Sequence, residues 1–97
     1  MEKICAVYIL TNKNNTVLYT GVTSNLPKRV FEHKNHLDNK SFTAKYHCEK
    51  LVWYDTTSDM IEAIKKEKQI KAGSRKKKIS LIEKINPHWE DLYNTII

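Results

Sequence analysis

The chain has 97 residues, with seventeen lysines and arginines against eleven aspartates and glutamates, and a formal net charge of +6. This length fits one small domain, residues 1–97, with one modest core. Two cysteines are too few for a disulfide framework, and no segment fits a signal peptide or a membrane span. We therefore expect reduced thiols, a cytoplasmic location and no membrane partner. The positive charge fits either a phosphate-backbone partner or a lysine-rich solvated surface.

The first two predicted elements form a β-hairpin. The almost continuously apolar run from Lys3 to Leu10 predicts a strand buried on both faces, and Val17 to Val22 is the returning strand. The Asn-rich segment between them has turn chemistry. A turn centred in that segment pairs Tyr8 with Tyr19 on one face, whereas a slip by one residue would send them to opposite faces.

A helix is predicted in the next segment, TSNLPKRVFEHKNHL, with Ser24 or Asn25 as its cap. At ~100° per residue, its apolar side contains Leu26, Val30 and Leu37. The same arithmetic puts His33 among these residues and Arg29 at their border. Two polar groups are therefore expected where the helix meets the sheet.

The second half of the chain predicts a loop, a strand and two helices. Asp38 to Glu49 has no period and predicts a loop, and Lys50 to Asp55 predicts a third strand. A helix capped by Thr57 or Ser58 should end at Gly73, and a last helix should run from a Ser74 cap to Asn86 and Pro87. The tail carries enough apolar residues to pack back. The order β-β-α-β-α-α predicts an α+β fold with a three-stranded, mostly antiparallel sheet flanked by helices.

One acidic residue is predicted on the apolar side of the second long helix. Met60, Ala63, Ile64 and Ile70 define that side, and Glu67 lies within it. A carboxylate facing the core is costly unless it is paired or bound to a cation. It could pair with Arg29 or a lysine, or it could bind a divalent metal through its hard oxygens. The spacing alone favours the ion pair, because buried ion pairs are commoner than metal sites.

Together these residues resemble the GIY-YIG nuclease family, in particular its small stand-alone members, which are similar to the N-terminal nuclease half of bacterial excinuclease C. The two tripeptides of the family correspond to AVY at 6–8 and YTG at 19–21. The helical arginine and histidine correspond to Arg29 and His33, the metal-binding glutamate to Glu67, and a late asparagine to Asn86. The departures, Ala6 and Thr20, replace no reacting group. The resemblance covers about residues 4 to 90.

The resemblance implies a DNA endonuclease that uses one Mg²⁺ or Mn²⁺ ion held by Glu67. It implies that Arg29 clamps the phosphate, that Tyr19 orients or deprotonates the attacking water, and that His33 relays the proton or forms a hydrogen bond with a tyrosine hydroxyl. Tyr8 and Asn86 complete the predicted catalytic group. A phenol with an ordinary pKa of ~10 is a poor base unless nearby positive charge lowers that value.

Several residues are candidate DNA contacts. A basic cluster at the start of the last helix opposes the helix dipole, so a bound anion would relieve the conflict; it consists of Lys71, Arg75, Lys76, Lys77 and Lys78. Gly21 would let a DNA backbone come close. In the predicted loop, Lys45 lies between Phe42 and Tyr46, which could stack on an unpaired strand.

Other functions remain open from the residues alone. A nucleic-acid-binding module without turnover would need only the basic cluster, and a protein-interaction adaptor would dock through the C-terminal tail. A protein partner that directs cleavage is also compatible with the sequence. A zinc site that joins His33 and His36 to His47 or Cys48 has little support, because these spacings match no zinc motif.

Overall fold

The computed structural model describes residues 4–37 and 41–97. The elements, in chain order, are β1 (Ala6–Thr11), β2 (Leu18–Thr23), α1 (Leu26–Lys34), α2 (Phe42–Lys45), β3 (Lys50–Thr56), α3 (Met60–Ala72), α4 (Arg75–Ile85) and a 3₁₀ turn (Tyr93–Thr95). The predicted α+β order is confirmed. The expected first strand residue, Lys3, and the first three residues of the expected loop lie outside the described residues.

The sheet has three strands in the order β2-β1-β3, and both pairings are antiparallel. Every residue of the central strand, β1, is buried, as its apolar run predicts. The predicted hairpin register is wrong by two residues, because Tyr8 pairs with Gly21 and Tyr19 pairs with Leu10. A shift of two preserves the side-chain alternation, so both tyrosines still lie on the same face of the sheet.

The side chain of Asn12 gives a physical reason for the position of the hairpin loop, which lies one residue further along the chain than expected. Its Oδ1 accepts hydrogen bonds from the backbone N–H groups of Thr16 and Val17, at 2.8 and 3.1 Å. Thr11 therefore still belongs to β1, where it pairs with Leu18. Asparagine side chains commonly stabilise turns by bonding to nearby backbone groups in this way.

The helices α1 and α2 differ in how well the sequence predicts them. Asn25 caps α1 as expected, with its side chain accepting from the Lys28 N–H. Leu37 was expected on the apolar side of this helix, but α1 ends at Lys34 and Leu37 is exposed. The loop expected over Asp38–Glu49 is wrong in part, because Ser41 caps the single helical turn of α2. One turn is too short to show a hydrophobic period.

The helices α3 and α4 begin and end at polar or glycine caps. Asp59, rather than Thr57 or Ser58, caps α3, since its Oδ1 accepts from the Glu62 N–H at 2.9 Å. Gly73 ends this helix and Ser74 caps α4, as predicted. Ile64 was expected on the apolar side of α3 but is 39% exposed.

The core has two parts, one on each face of the sheet. On one face, Tyr8 and Leu10 of β1 pack with residues of α1, and the tail residues Leu92, Tyr93 and Ile96 close over this cluster. On the other face, the buried set is Val7, Ile9, Val52, Trp53, Ile70 and Ile82. Trp89 packs against this second cluster, so the expected return of the tail is confirmed.

Two further features concern the thiols and the lengths of the helices. Both cysteines are free thiols. None of the described helices has the length and apolar character needed to cross a bilayer.

Candidate active site

The two tyrosines of the hairpin meet over Gly21. Their ring centroids lie 6.3 Å apart on the same face of the sheet. A Cβ atom at position 21 would lie 2.6 Å from Cζ and Oη of Tyr8 and 2.9 Å from Cε2 of Tyr19. Glycine is therefore required here by space, because the tyrosine rings occupy the volume above it. Its expected role as a point of close DNA approach stays a prediction.

His33 is the centre of a buried polar chain beside these rings. It lies on α1 and is 7% exposed. Its Nε2 shares a hydrogen bond of 3.1 Å with the Tyr8 hydroxyl, and its Nδ1 shares one of 2.8 Å with Oγ1 of Thr43. Thr43 in turn contacts Oγ of Ser41 at 3.0 Å. Both imidazole nitrogens thus have partners, which fixes the ring against Tyr8.

Arg29 lies one turn before His33 and reaches the same tyrosine. Its guanidinium makes a hydrogen bond that lowers the pKa of Tyr8, and its Nη1 lies 3.3 Å from Oε1 of Glu32. Burial acts to lower the pKa of Arg29, but its contacts with Tyr8 and Glu32 raise it on balance. The side chain is 39% exposed. Arg29 therefore presents a permanent positive charge at the edge of the cluster, with access to solvent.

The pKa of Tyr8 is raised above its ordinary value. Burial is the main cause, the neighbouring Tyr19 adds to it, and the charge of Glu67 acts in the same direction. Arg29 opposes these effects without cancelling them. Tyr8 is therefore neutral at physiological pH, and its hydroxyl is available for hydrogen bonds.

Glu67 faces inward, as its position in the helical period predicts. Its side chain is 15% exposed, and its Oε2 lies 3.2 Å from Nζ of Lys71, one turn further along α3. The ion pair expected from the spacing is therefore present, with a lysine as the partner instead of Arg29. Because the charge of Glu67 raises the pKa of Tyr8, the carboxylate lies within electrostatic range of the tyrosine cluster.

The contacts of Asn86 are structural, because they join the end of α4 to neighbouring backbone groups. It ends α4, and its Nδ2 donates to the carbonyl oxygens of Val52 and Glu90, at 3.0 and 2.8 Å. Its Oδ1 accepts from the Glu90 N–H at 3.0 Å. These bonds fasten the segment after α4 to β3. The catalytic assignment of Asn86 stays a prediction, which its contacts do not require.

The predicted DNA contacts lie mostly at the surface. Lys76, Lys77 and Lys78 line a groove of about 700 Å³ between α3 and α4. Arg75 instead reaches the β1–β2 loop, where its Nη2 donates to the carbonyl oxygen of Thr16 at 3.0 Å. Lys45 lies over the ring of Tyr46, with Nζ 5.4 Å from the ring centroid.

The short helix α2 supplies two residues that the sequence did not single out as part of the catalytic group. Thr43 holds His33, as described above, and Phe42 stacks on Tyr19 with ring centroids 6.0 Å apart. Phe42 also contacts Tyr46, and both of these rings are partly exposed to solvent. The signal was the Ser41 cap two residues before Thr43, which predicts a helical turn but not its contact with α1.

Comparisons with known proteins agree with this arrangement. The model of the GIY-YIG catalytic domain matches residues 4–80, so the chain belongs to the GIY-YIG family. Membership indicates a nuclease-type function, with DNA as the implied substrate.

Similar proteins come from several bacteria. A UPF0213 protein of Syntrophus aciditrophicus is 38% identical over 81 residues, which cover 84% of this chain and 91% of that protein. A UPF0213 protein of Clostridium perfringens is 40% identical over 78% of this chain and 80% of its own length. One from Desulfotalea psychrophila is 32% identical over 90% of this chain and 78% of its own length. No solved structure matches the chain.

Proposed function

We propose that this protein is a divalent-metal-dependent endonuclease that hydrolyses phosphodiester bonds in DNA. The observation that supports it most is the convergence on Tyr8 of groups from three other elements: Tyr19 on β2, Arg29 and His33 on α1, and Glu67 on α3. A binding-only domain has no evident use for this buried, costly polar cluster. The enzyme acts in the cytoplasm, which agrees with its free thiols.

The donor groups at Glu67 fit the demands of Mg²⁺ or Mn²⁺. These hard cations are commonly held by one or two carboxylates together with substrate phosphates. Glu67 is a largely buried carboxylate whose only partner among the described residues is Lys71, through Oε2. A divalent ion bound there would neutralise charge on the scissile phosphate. Approach of a cation would compete with the Lys71 ammonium, whose side chain is 52% exposed and free to move into solvent.

The remaining groups bind and orient the substrate. The planar guanidinium of Arg29 can bind a phosphate through two hydrogen bonds, because its ion pair with Glu32 involves only Nη1. Tyr19 orients the attacking water. Tyr8 keeps its proton and donates to a phosphate oxygen or to His33, and His33 accepts or passes on a proton within the cluster. Asn86 is also proposed as a member of the catalytic group.

Cleavage is proposed to be directed by DNA structure or to be only weakly sequence-specific, with an unpaired strand near the site. Phe42 joins Tyr19 to the exposed ring of Tyr46, so a continuous aromatic surface leads from the tyrosine pair to solvent. Bases of an unpaired strand stack on such surfaces without regard to sequence. Phosphates would be held by Lys45, by the close approach at Gly21, and by the basic cluster of Lys71, Arg75, Lys76, Lys77 and Lys78. A protein partner that directs cleavage completes the proposal.

A cleavage assay with matched variants tests the enzyme. Plasmid, flapped and branched DNA are incubated with Mg²⁺ or Mn²⁺, and the wild-type protein should cut at least one of them. Glu67→Gln should lower the rate by at least about 100-fold, because it removes the anionic ligand. Glu62→Gln, on the exposed side of the same helix, should cut normally. Equal rates for wild type and Glu67→Gln would reject the enzyme.

The second candidate is a nucleic-acid-binding module of the same fold. It is favoured by the Lys71–Glu67 ion pair, which already compensates the buried charge without a metal. The module predicts DNA binding without products, and Lys76→Ala should lower the salt slope of binding by about one unit. An affinity that does not change with salt would contradict both candidates.

A further inference from the structure

Two histidines and one glutamate meet at the ends of α1 and α2, next to the tyrosine cluster but separate from it. Nε2 of His36 lies 3.1 Å from Oε1 of Glu49, and Nδ1 of His47 lies 4.0 Å from Oε2 of the same carboxylate. One ligand atom from each of the three residues lies within 4.8 Å of the others. Ligands of a tetrahedral zinc ion are ~3.3 Å apart. A small contraction of this group would therefore enclose an ion.

The backbone holds both histidines in an unusual conformation. His36 and His47 have φ angles of 52° and 56°, in the left-handed region. Each is the residue that follows the C-cap of its helix, Asn35 for α1 and Tyr46 for α2. Glycine is the usual residue at this position, since other side chains adopt it at a cost. The chain accepts that cost twice and so brings two imidazoles to one carboxylate, with ring centroids 5.8 Å apart.

We propose that His36, His47 and Glu49 form a binding site for a zinc ion or a similar transition metal. Two imidazoles and one carboxylate favour zinc over Mg²⁺, which prefers oxygen ligands. The site is open on one side, because the side chain of His47 is 73% exposed. Solvent would supply the remaining ligand. The nearby ammonium of Lys34 is neutralised by an ion pair with Asp91 and binds the carbonyl oxygen of Glu49, so it steadies the glutamate backbone.

The ion would fasten α2 to the end of α1 and the start of β3. This matters for the rest of the molecule because α2 carries Thr43, which holds His33, and Phe42, which stacks on Tyr19. His36 also lines a cavity of about 140 Å³ together with Arg29, His33 and Thr43. The proposed site is thus adjacent to the tyrosine cluster but shares no ligand with it. It rests on this geometry and does not depend on nuclease activity.

The direct test is metal binding by the full chain and by matched variants. The wild-type protein should bind one Zn²⁺ per chain. Co²⁺ bound in its place should show the strong visible absorption of a four-coordinate site. His36→Asn and His47→Asn keep a residue that tolerates the left-handed backbone. Each should weaken Zn²⁺ binding at least tenfold, as loss of a ligand requires. His88→Asn, an exposed histidine in the tail, should bind as wild type does.

Two further measurements decide where the ion lies and what it does. Zn²⁺ should raise the melting temperature and slow amide exchange in α2 of the wild type, but not of the His36→Asn, His47→Asn double variant. Glu67→Gln should keep full Zn²⁺ stoichiometry. If Glu67→Gln loses the ion, or if the double variant binds it as tightly as wild type, the proposal is overturned. Binding only at millimolar Zn²⁺ would overturn it as well.

Discussion

The two faces of the sheet bury different kinds of side chain. Towards α3 and α4 the core is a cluster of apolar side chains, Val7, Ile9 and Ile82 among them, and the buried amide of Asn86 beside it bonds to backbone groups. Towards α1 and α2, the buried residues include Tyr8 and His33, whose polar atoms are satisfied by each other and by a few neighbours. Successive residues of the same strand, β1, therefore contribute to two environments with different energetics.

Because of this difference, we expect the apolar face to contribute mainly to folding stability and the polar face to contribute mainly to the candidate active site. Burial of apolar surface is insensitive to the detailed geometry of the partners, whereas a buried hydroxyl or imidazole costs free energy unless a specific partner is in place. In the apolar cluster of the first face, another apolar side chain of similar volume should serve. On the second, Tyr8, His33 and Thr43 depend on one another, so one change there should disturb the whole site.

The largest expected effect is on the apolar face. Ile82 is fully buried, and Ile82→Ala should lower the free energy of unfolding by about 2–5 kcal/mol, because it leaves a cavity. Urea denaturation measures this change. At a temperature where the variant is still folded, cleavage of DNA should be unchanged. Tyr8→Phe is the contrasting variant on the other face: it should cost about 1–3 kcal/mol because the buried hydrogen bond between Tyr8 and His33 is lost, and it should also lose cleavage. If Ile82→Ala abolished cleavage while folded, the two faces would not be separable.

Much of this division could be predicted from the sequence. The continuous apolar run of β1 predicts its central place, and helical periodicity puts His33 and Glu67 on inward faces. The hairpin register could not be predicted, since it depends on hydrogen bonds to the side chain of Asn12 that place the loop one residue further along the chain. The contact between Thr43 and His33 was also out of reach, because it joins two helices across ten residues and α2 has a single turn.

The next effect tests the space above the hairpin. Gly21→Ala would bring a methyl group within 2.6 Å of the Tyr8 ring, so the ring must move. We expect a loss of about 1–3 kcal/mol in stability, as overpacking usually causes, together with loss of cleavage. Thermal or urea unfolding and the DNA assay measure the two effects.

Gly73 provides the matched control for this substitution. It ends α3 with a φ of −77°, which alanine adopts without strain, and a Cβ atom there would lie 3.3 Å from the Ile70 carbonyl oxygen. Gly73→Ala should cost well under about 1 kcal/mol and should leave cleavage intact. Similar losses for both variants would mean that the tyrosine rings are not what requires glycine at position 21.

The smallest effect is a dependence of stability on alkaline pH. The folded-state pKa of Tyr8 is raised above its ordinary value of 10.0, chiefly by burial. The unfolded chain therefore loses this proton at a lower pH than the folded chain does. The stability that Tyr8 contributes is complete below pH 10 and declines as the pH rises towards the folded pKa, by at most about 1.4 kcal/mol per pH unit.

Tyr8→Phe isolates this contribution from the titration of the lysines. Both proteins share every other ionisable group, so the difference between their free energies of unfolding reports Tyr8 alone. From about pH 9 to about pH 11, that difference should move in favour of the phenylalanine variant, because only wild type must keep a buried phenol protonated or expose a phenolate. A difference that stays constant over this range would mean that Tyr8 titrates normally when folded. The polar face would then resemble water more closely than its burial implies, and its contrast with the apolar face would be one of side-chain shape rather than of electrostatics.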